Sequence, residues 1–314
     1  MTRHVRLCTC LCVGLSSSAC YDATLDPDIS GVFACEETED CGIGLQCIDS
    51  VCVATSEIVG PVVEIQSPPS LAAFRMGVDR DISLILRGSN LFLTSDPNAP
   101  EPLAGYLDVY LDGVIQGTVF SGTLEQGLTV PPLTLPATPG LHHIRVAAHR
   151  VDGTAFETAR AQVNYAFWVD DGHEHIGIIE PAPASKVAKN PDGSVRVEVA
   201  SLNFTFVNPG FVSAEEAPSD PEGYVSLYVD AQVPDCLPAC PRQYPQYQAT
   251  LVPAGLSRVN RIAADQAVFL PDHAGTVKLQ VVAQDIVHEP YSRQGSENDF
   301  VFHSIPIQPT AAFE

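Results

Sequence analysis

From residue 62 onward, apolar and polar positions alternate with a period of two in several short segments. The segment 107–112 reads Leu-Asp-Val-Tyr-Leu-Asp, and 225–230 reads Val-Ser-Leu-Tyr-Val-Asp. Alternation of this kind is typical of strands with one buried face. Asp-Gly pairs, which favour tight hairpin turns, stand at 112–113, 152–153 and 192–193. No segment shows convincing helical periodicity, so the pattern predicts an all-β chain.

The same strand pattern is written twice along the chain. Three segments recur after 113 residues, and two later segments recur at larger offsets. The matched segments are 65–68 with 178–181, 82–86 with 195–199, 90–93 with 203–206, 105–112 with 223–230, and 140–148 with 275–283. About seven strands fit into each unit. We therefore predict two tandem antiparallel β-sandwiches at 60–170 and 175–306, followed by a tail at 307–314.

The two units resemble bacterial immunoglobulin-like repeats. They lack the cysteine–tryptophan–cysteine pattern of antibody domains, and Trp168 is the one tryptophan of the chain. The resemblance implies an immunoglobulin-like fold. It implies no particular activity, because sandwich folds carry many unrelated functions.

The amino terminus has the order of a secretory leader. A basic stretch at 2–6 precedes an apolar run at 7–15, small residues at 16–19 and then Cys20. The segment 15–20 resembles a bacterial lipobox, which implies that Cys20 carries the lipid anchor and that 1–19 is removed. Tyr21 after this cysteine implies sorting to the outer membrane or cell surface, with 20–32 as a tether. Because Ser17 stands where a lipobox usually has leucine, ordinary cleavage to a soluble periplasmic or secreted form is the alternative.

A cysteine-rich segment follows at 33–54. Its spacing, C-x5-C-x5-C-x4-C, is too compact for a hydrophobic core, so disulfides are expected to hold it. This segment resembles the short cysteine-rich unit behind the anchor of myxobacterial-type surface lipoproteins, which implies a stalk. A zinc site is disfavoured by the spacing and by export. With a later pair, the expected disulfide cysteines are Cys35, Cys41, Cys47, Cys52, Cys236 and Cys240.

The second unit contains about 17 extra residues beginning near residue 233. A Cys236–Cys240 bridge within this proline-rich insertion would restrict a loop that presents Arg242, Tyr244 and Tyr247 to a partner. The alternative is a loop that is crosslinked against proteolysis.

Two histidines near the junction of the units are candidate metal ligands. His173 and His175 are two residues apart and would share a face if they lay in a strand. The alternative is a solvated linker.

The net charge and the absence of catalytic motifs reduce the number of function classes that the sequence supports. The formal net charge of −22 repels phosphate backbones, so nucleic acid is excluded as a partner. No nucleophile elbow, metalloprotease or phosphate-loop motif occurs, so neither catalysis nor a cofactor is expected. The sequence thus favours a lipid-anchored, non-enzymatic spacer, adhesion or binding module with a protein or glycan partner. A periplasmic metal- or carbohydrate-binding protein is the alternative.

Overall fold

The computed structural model divides the chain into two compact units, Met1–Val59 and Gly60–Glu314. It describes residues 45–48, 51–54, 60–99, 103–156, 158–190, 194–211, 221–230, 247–253, 258–263, 268–269, 275–293 and 299–310. Within these ranges the chain is built from strands, with one 3-10 turn at Ala159–Ala161 and no α-helix. The predicted all-β class is confirmed.

The described residues of the first unit form an antiparallel hairpin of β1 (Leu45–Ile48) and β2 (Val51–Ala54). Cys47 and Cys52 stand directly opposite each other in its register. Cys35 and Cys41, like Cys20, lie outside the described residues.

The first sandwich packs a mixed sheet of six strands against smaller sheets. The strand order of the large sheet is β4-β13-β12-β8-β7, with β9 paired to β8, and the smaller sheets are β10-β6-β3 and β11-β5. The strands are β3 (Val62–Ser67), β4 (Ala73–Arg75), β5 (Asp81–Ile82), β6 (Ile85–Ser89), β7 (Phe92–Leu93), β8 (Ala104–Leu111), β9 (Val114–Val119), β10 (Leu128–Thr129), β11 (Leu133–Thr134), β12 (Gly140–Arg150) and β13 (Gln162–Asp170).

The second sandwich repeats this topology. Its large sheet has the order β15-β24-β23-β19-β18, with β20 paired to β19, and its smaller sheets are β14-β17-β21 and β16-β22. The strands are β14 (His175–Glu180), β15 (Lys186–Ala188), β16 (Ser194–Val195), β17 (Glu198–Leu202), β18 (Thr205–Phe206), β19 (Glu222–Val229), β20 (Tyr247–Leu251), β21 (Arg261–Ala263), β22 (Val268–Phe269), β23 (Val277–Asp285) and β24 (Phe302–Thr310).

The internal repeat predicted from the sequence is confirmed strand by strand. Strands β3 to β7 each recur 113 residues later as β14 to β18. Pairing is mostly antiparallel, but each large sheet also has two parallel pairings at corresponding places. Short turn positions correspond as well, since Asn90 and Asn203 both have a positive φ, as do Asp112 and Asp230. The tight-turn signals therefore recur because the two backbones make the same bends.

Each sandwich has its own hydrophobic core. In the first, the inward residues of β8 and β12 meet those of β6, and Leu86, Leu107 and Ile144 have no exposed surface. In the second, Val199, Leu227 and Leu279 are equally enclosed. Burying such a side chain contributes about 1.5–3 kcal/mol, so each core stabilises its own sandwich.

Strand β19 departs from the predicted half-buried pattern. Ser226 and Tyr228, expected to face solvent, are at most 2% exposed, and Tyr224 on the same face is 1% exposed. The corresponding Tyr106 and Tyr110 of β8 remain partly exposed. Alternation along a strand predicts which residues share a face, but other parts of the chain decide whether a second face is covered.

Candidate ligand-binding cleft between the two sandwiches

A small apolar cluster joins the two sandwiches. Leu141 of β12 and Trp168 of β13 point away from the first core and pack with Ala166 and with Ala200 of β17. Trp168 is 2% exposed and Ala200 is 1% exposed. The outward face of the first large sheet is therefore an internal surface at this end.

A glycine allows the close approach of the two backbones. Gly177 lies in β14, and a Cβ atom placed on it would lie 2.5 Å from Cβ of Leu141. That separation is far shorter than carbon–carbon contact, so a larger residue would force the sandwiches apart.

Next to this glycine, two histidines bind the backbone of one residue. Nε2 of His143 donates to the carbonyl oxygen of Ile178 at 3.0 Å, and the amide of Ile178 donates to Nδ1 of His303 at 3.1 Å. Strand β14 is at the edge of its sheet, so among the described strands none pairs with the outward backbone groups of Ile178. The histidines, one from each sandwich, satisfy them.

Both histidines are neutral in the folded chain. Burial lowers the pKa of His143 to about 4, against an opposing contribution from the charge of Asp112. Burial lowers the pKa of His303 to about 3, and the neighbouring His143 lowers it further. Their tautomers are set by the bonds to Ile178.

Asp112 holds the start of β12 from the hairpin turn between β8 and β9. Its Oδ2 lies 2.6 Å from Nδ1 of His142, and its Oδ1 accepts from the amide of His143 at 2.9 Å. Burial lowers the pKa of His142, but hydrogen bonding to Asp112 outweighs this and the net pKa is raised. Asp230 makes the same backbone bond to Lys278 at 2.8 Å in the second sandwich. The aspartate is therefore a structural element of the repeat.

The two candidate metal ligands occupy different environments. His173 is exposed and precedes β14, whereas His175 is buried as its first residue. Nε2 of His175 lies 2.8 Å from Oδ1 of Asp171, and its Nδ1 lies 3.3 Å from the Arg293 guanidinium. Both ring nitrogens of His175 thus have protein partners. In the described ranges no group of three histidine, cysteine, aspartate or glutamate side chains is arranged to hold a metal.

Beside the apolar cluster, a cleft of about 690 Å³ separates the sandwiches. Arg145 and Asn164 line it from β12 and β13, and Lys186, Arg196 and Arg261 line it from the second sandwich. It lies within the size range of small-ligand sites, about 300–1,000 Å³.

The described part of the cleft wall carries four cationic side chains and one carboxylate, Glu180. Arg196 lies 3.6 Å from Glu180 and 3.5 Å from Glu198, and Arg261 also pairs with Glu198. Arg145 instead lies over the ring of Tyr110, 4.0 Å from its centroid. The chain has a formal charge of −22, so the excess of positive side chains in this cleft is opposite in sign to the charge of the whole protein.

A polar and aromatic cluster extends from Arg145 across the same sheet face. Asp108 accepts from Oγ1 of Thr118 at 2.7 Å and from the hydroxyl of Tyr110 at 3.3 Å. His149 stacks on Tyr106 with ring centroids 5.5 Å apart, and its Nε2 lies 3.5 Å from Asp108. The cluster stiffens the sheet that carries Arg145.

The predicted binding loop lies mostly outside the described residues. The residues of the loop that lie outside the described ranges include Cys236, Cys240, Arg242 and Tyr244. Tyr247 is the first residue of β20, and its backbone lies opposite Tyr228. The prediction that these residues contact a partner stays a prediction.

Sequence reasoning missed the residues that form the cleft. Arg145, Lys186 and His303 come from three different strands, and no short motif connects them. The sequence does carry a signal for His143, because β12 contains three histidines, but its partner Ile178 is 35 residues away.

Comparisons with known proteins give the following similarities. No family model matches the sequence, and no curated protein matches it. The fibronectin(III)-like modules of Clostridium thermocellum CbhA are 13% identical over 80% of this chain and 95% of theirs, with a TM-score of 0.25. A tetra-tandem repeat in the extending region of a large adhesion protein is 9% identical over 80% of this chain and 49% of that chain, with a TM-score of 0.24. Similarities at this level give no information about a ligand.

Among the described residues, no helix has the length and apolar character needed to cross a membrane.

Proposed function

We propose that this chain is an exported surface protein whose two coupled sandwiches act, without catalysis, as a spacer and binding module. The observation that carries the proposal is the shared interface, in which Trp168 is buried and His143 binds Ile178. Two sandwiches joined by packed apolar groups and hydrogen bonds move together, whereas sandwiches joined by a bare linker do not. A coupled pair of sandwiches keeps a fixed relative orientation, so a surface built from both of them keeps one geometry.

The amino-terminal sequence supports surface attachment. The predicted secretory leader, 1–19, is followed directly by Cys20, and the cysteine-rich segment 33–54 lies between this position and the sandwiches in the sequence. We propose that Cys20 is lipidated and that the segment acts as a stalk. Palmitate labelling that disappears in Cys20→Ser is the expected result, while labelling that persists contradicts the anchor.

The coupling is tested with a glycine pair. Gly177→Val places atoms against Leu141, whereas Gly117→Val in β9 meets open space, since no atom lies within 4 Å of a Cβ there. Small-angle X-ray scattering of the mature chain should show an increased radius of gyration for Gly177→Val and an unchanged one for Gly117→Val. An unchanged radius for both variants contradicts the proposed coupling.

A further inference from the structure

The cations that line the cleft differ in their carboxylate partners. Within the part of the chain that the structure describes, neither Arg145 nor Lys186 forms an ion pair, unlike Arg196 and Arg261. An unpaired cation at a cleft wall attracts an anion more strongly than a neutralised one, because no protein charge opposes it. The two residues come from different sandwiches, so the positive site exists only when the sandwiches are coupled.

Arg145 is held in position for recognition. Its guanidinium lies 4.0 Å from the ring centroid of Tyr110, and the Tyr110 hydroxyl is bound to Asp108. Stacking of this kind leaves the edge of the planar guanidinium available to donate two parallel hydrogen bonds to a carboxylate.

Neutral amides accompany the cations. Gln162, Asn164 and Gln308 line the same cleft and are exposed. Primary amides both donate and accept, which suits hydroxyl groups. A ligand that uses the whole wall therefore needs carboxylates for the cations and hydroxyls for the amides.

We propose that the cleft binds a carboxylate-bearing oligosaccharide. Arg145 pairs with one carboxylate, Lys186 attracts a second, and the three amides bind ring hydroxyls. An acidic sugar carries both groups on a rigid ring, whereas an acidic peptide carries carboxylates without hydroxyls. This inference rests on the proposed coupling of the sandwiches, because both supply the wall.

Isothermal titration calorimetry of the mature chain tests the proposal. The probes are tetragalacturonate, a neutral galactose tetramer and a short polyglutamate peptide. Tetragalacturonate should bind, and its affinity should fall at least about tenfold in the double variant Arg145→Gln with Lys186→Gln. Arg80→Gln with Arg87→Gln is the matched control, because it removes the same charge at exposed positions outside the cleft and should keep the affinity within about twofold.

Several outcomes overturn the proposal. They are no binding of tetragalacturonate, equal binding of the neutral tetramer or the peptide, and equal losses in the two double variants. Lys186→Gln alone, at an exposed position, is the second variant if the double variant melts early. If the radius of gyration increases in Gly177→Val as expected and tetragalacturonate still fails to bind the parent chain, this inference fails while the coupling stands.

Discussion

His143 of the first sandwich donates its Nε2 hydrogen to the carbonyl oxygen of Ile178 in the second, at 3.0 Å. The acceptor belongs to an edge strand, and the amide of the same residue is bound by His303. The register between β14 and β17 shifts between Ile178 and Glu180. The backbone of Ile178 is thus a point of polar contact between the two sandwiches, a few residues from the cationic cleft.

Removing this contact should weaken the fold. His143→Ala leaves the buried carbonyl of Ile178 without its donor and opens a space, which should reduce the free energy of unfolding by about 1–3 kcal/mol. His143→Gln, which retains a donor, should lose less. Urea denaturation measures both variants. His173→Ala changes an exposed histidine and should stay within about 0.5 kcal/mol of the parent. Equal effects of His143→Ala and His173→Ala would count against the role of His143.

Stability should fall in mild acid. The folded pKa values of His143 and His303 are about 4 and about 3, below the ordinary 6.5. At pH values between the folded pKa and 6.5, these histidines are protonated in the unfolded chain but not in the folded chain. The stability from each neutral histidine is therefore full above pH 7 and declines as pH falls from 6.5, by about 1.4 kcal/mol per pH unit.

The neighbouring groups His142 and Asp112 contribute to stability with a different dependence on pH. The raised pKa of His142 gives a contribution that is present below its unfolded value and lost as pH rises through its folded value. The lowered pKa of Asp112 gives a contribution that is lost as pH falls from the ordinary 3.8 toward the folded value. This loss occurs at a lower pH than the interval from 7.5 to about 5 in which the two neutral histidines are tested. Urea unfolding between pH 7.5 and about 5 should show the decline, and His143→Gln should reduce its slope. A slope unchanged in that variant would contradict the assignment.

The ion pair between Arg261 and Glu198 should contribute more to the free energy of unfolding than an exposed ion pair does. Glu198 is 6% exposed, and the hydrogen bond from Arg261 lowers its pKa. Arg261→Ala leaves this carboxylate with Arg196 alone and should cost about 1–2 kcal/mol, a value reduced because Arg261 is itself half exposed.

Arg160→Ala provides the control for this pair. Arg160 and Glu64 are both well exposed and lie 3.6 Å apart, so its loss should cost less than about 0.5 kcal/mol. Thermal unfolding at low and high salt compares the two variants. Similar losses from both would show that burial of Glu198 is unimportant.

Two equivalent asparagines should respond differently to the same substitution. Asn90 and Asn203 have φ values of 58° and 56°, a left-handed conformation that glycine adopts without strain. Nδ2 of Asn203 also donates to the carbonyl of His173 at 3.0 Å and to Asp170 at 3.2 Å. Asn90→Gly should leave stability within about 0.5 kcal/mol, while Asn203→Gly should lose about 1 kcal/mol. Chemical denaturation measures both, and a larger loss at Asn90 would refute the account.

Much of the fold follows from local pattern. The period-two segments and the 113-residue repeat predicted the strands β3, β6, β8 and their partners β14, β17, β19. They did so because alternation and turn residues act over a few positions. The burial of the outer face of β19 was not predicted, because the residues that cover a strand face are distant in the sequence.

The sequence by itself determined the all-β class, the duplication and the positions of tight turns such as Asp112-Gly113, since backbone sterics and side-chain alternation are local properties. Only the tertiary structure decided that Leu141 packs against Gly177, that His143 binds Ile178 and that Arg145 shares a cleft with Lys186. These contacts join residues 35 to 41 positions apart across two sandwiches. Their energy comes from burial and from hydrogen bonds that exist once both sandwiches have formed, so no short stretch of sequence encodes them.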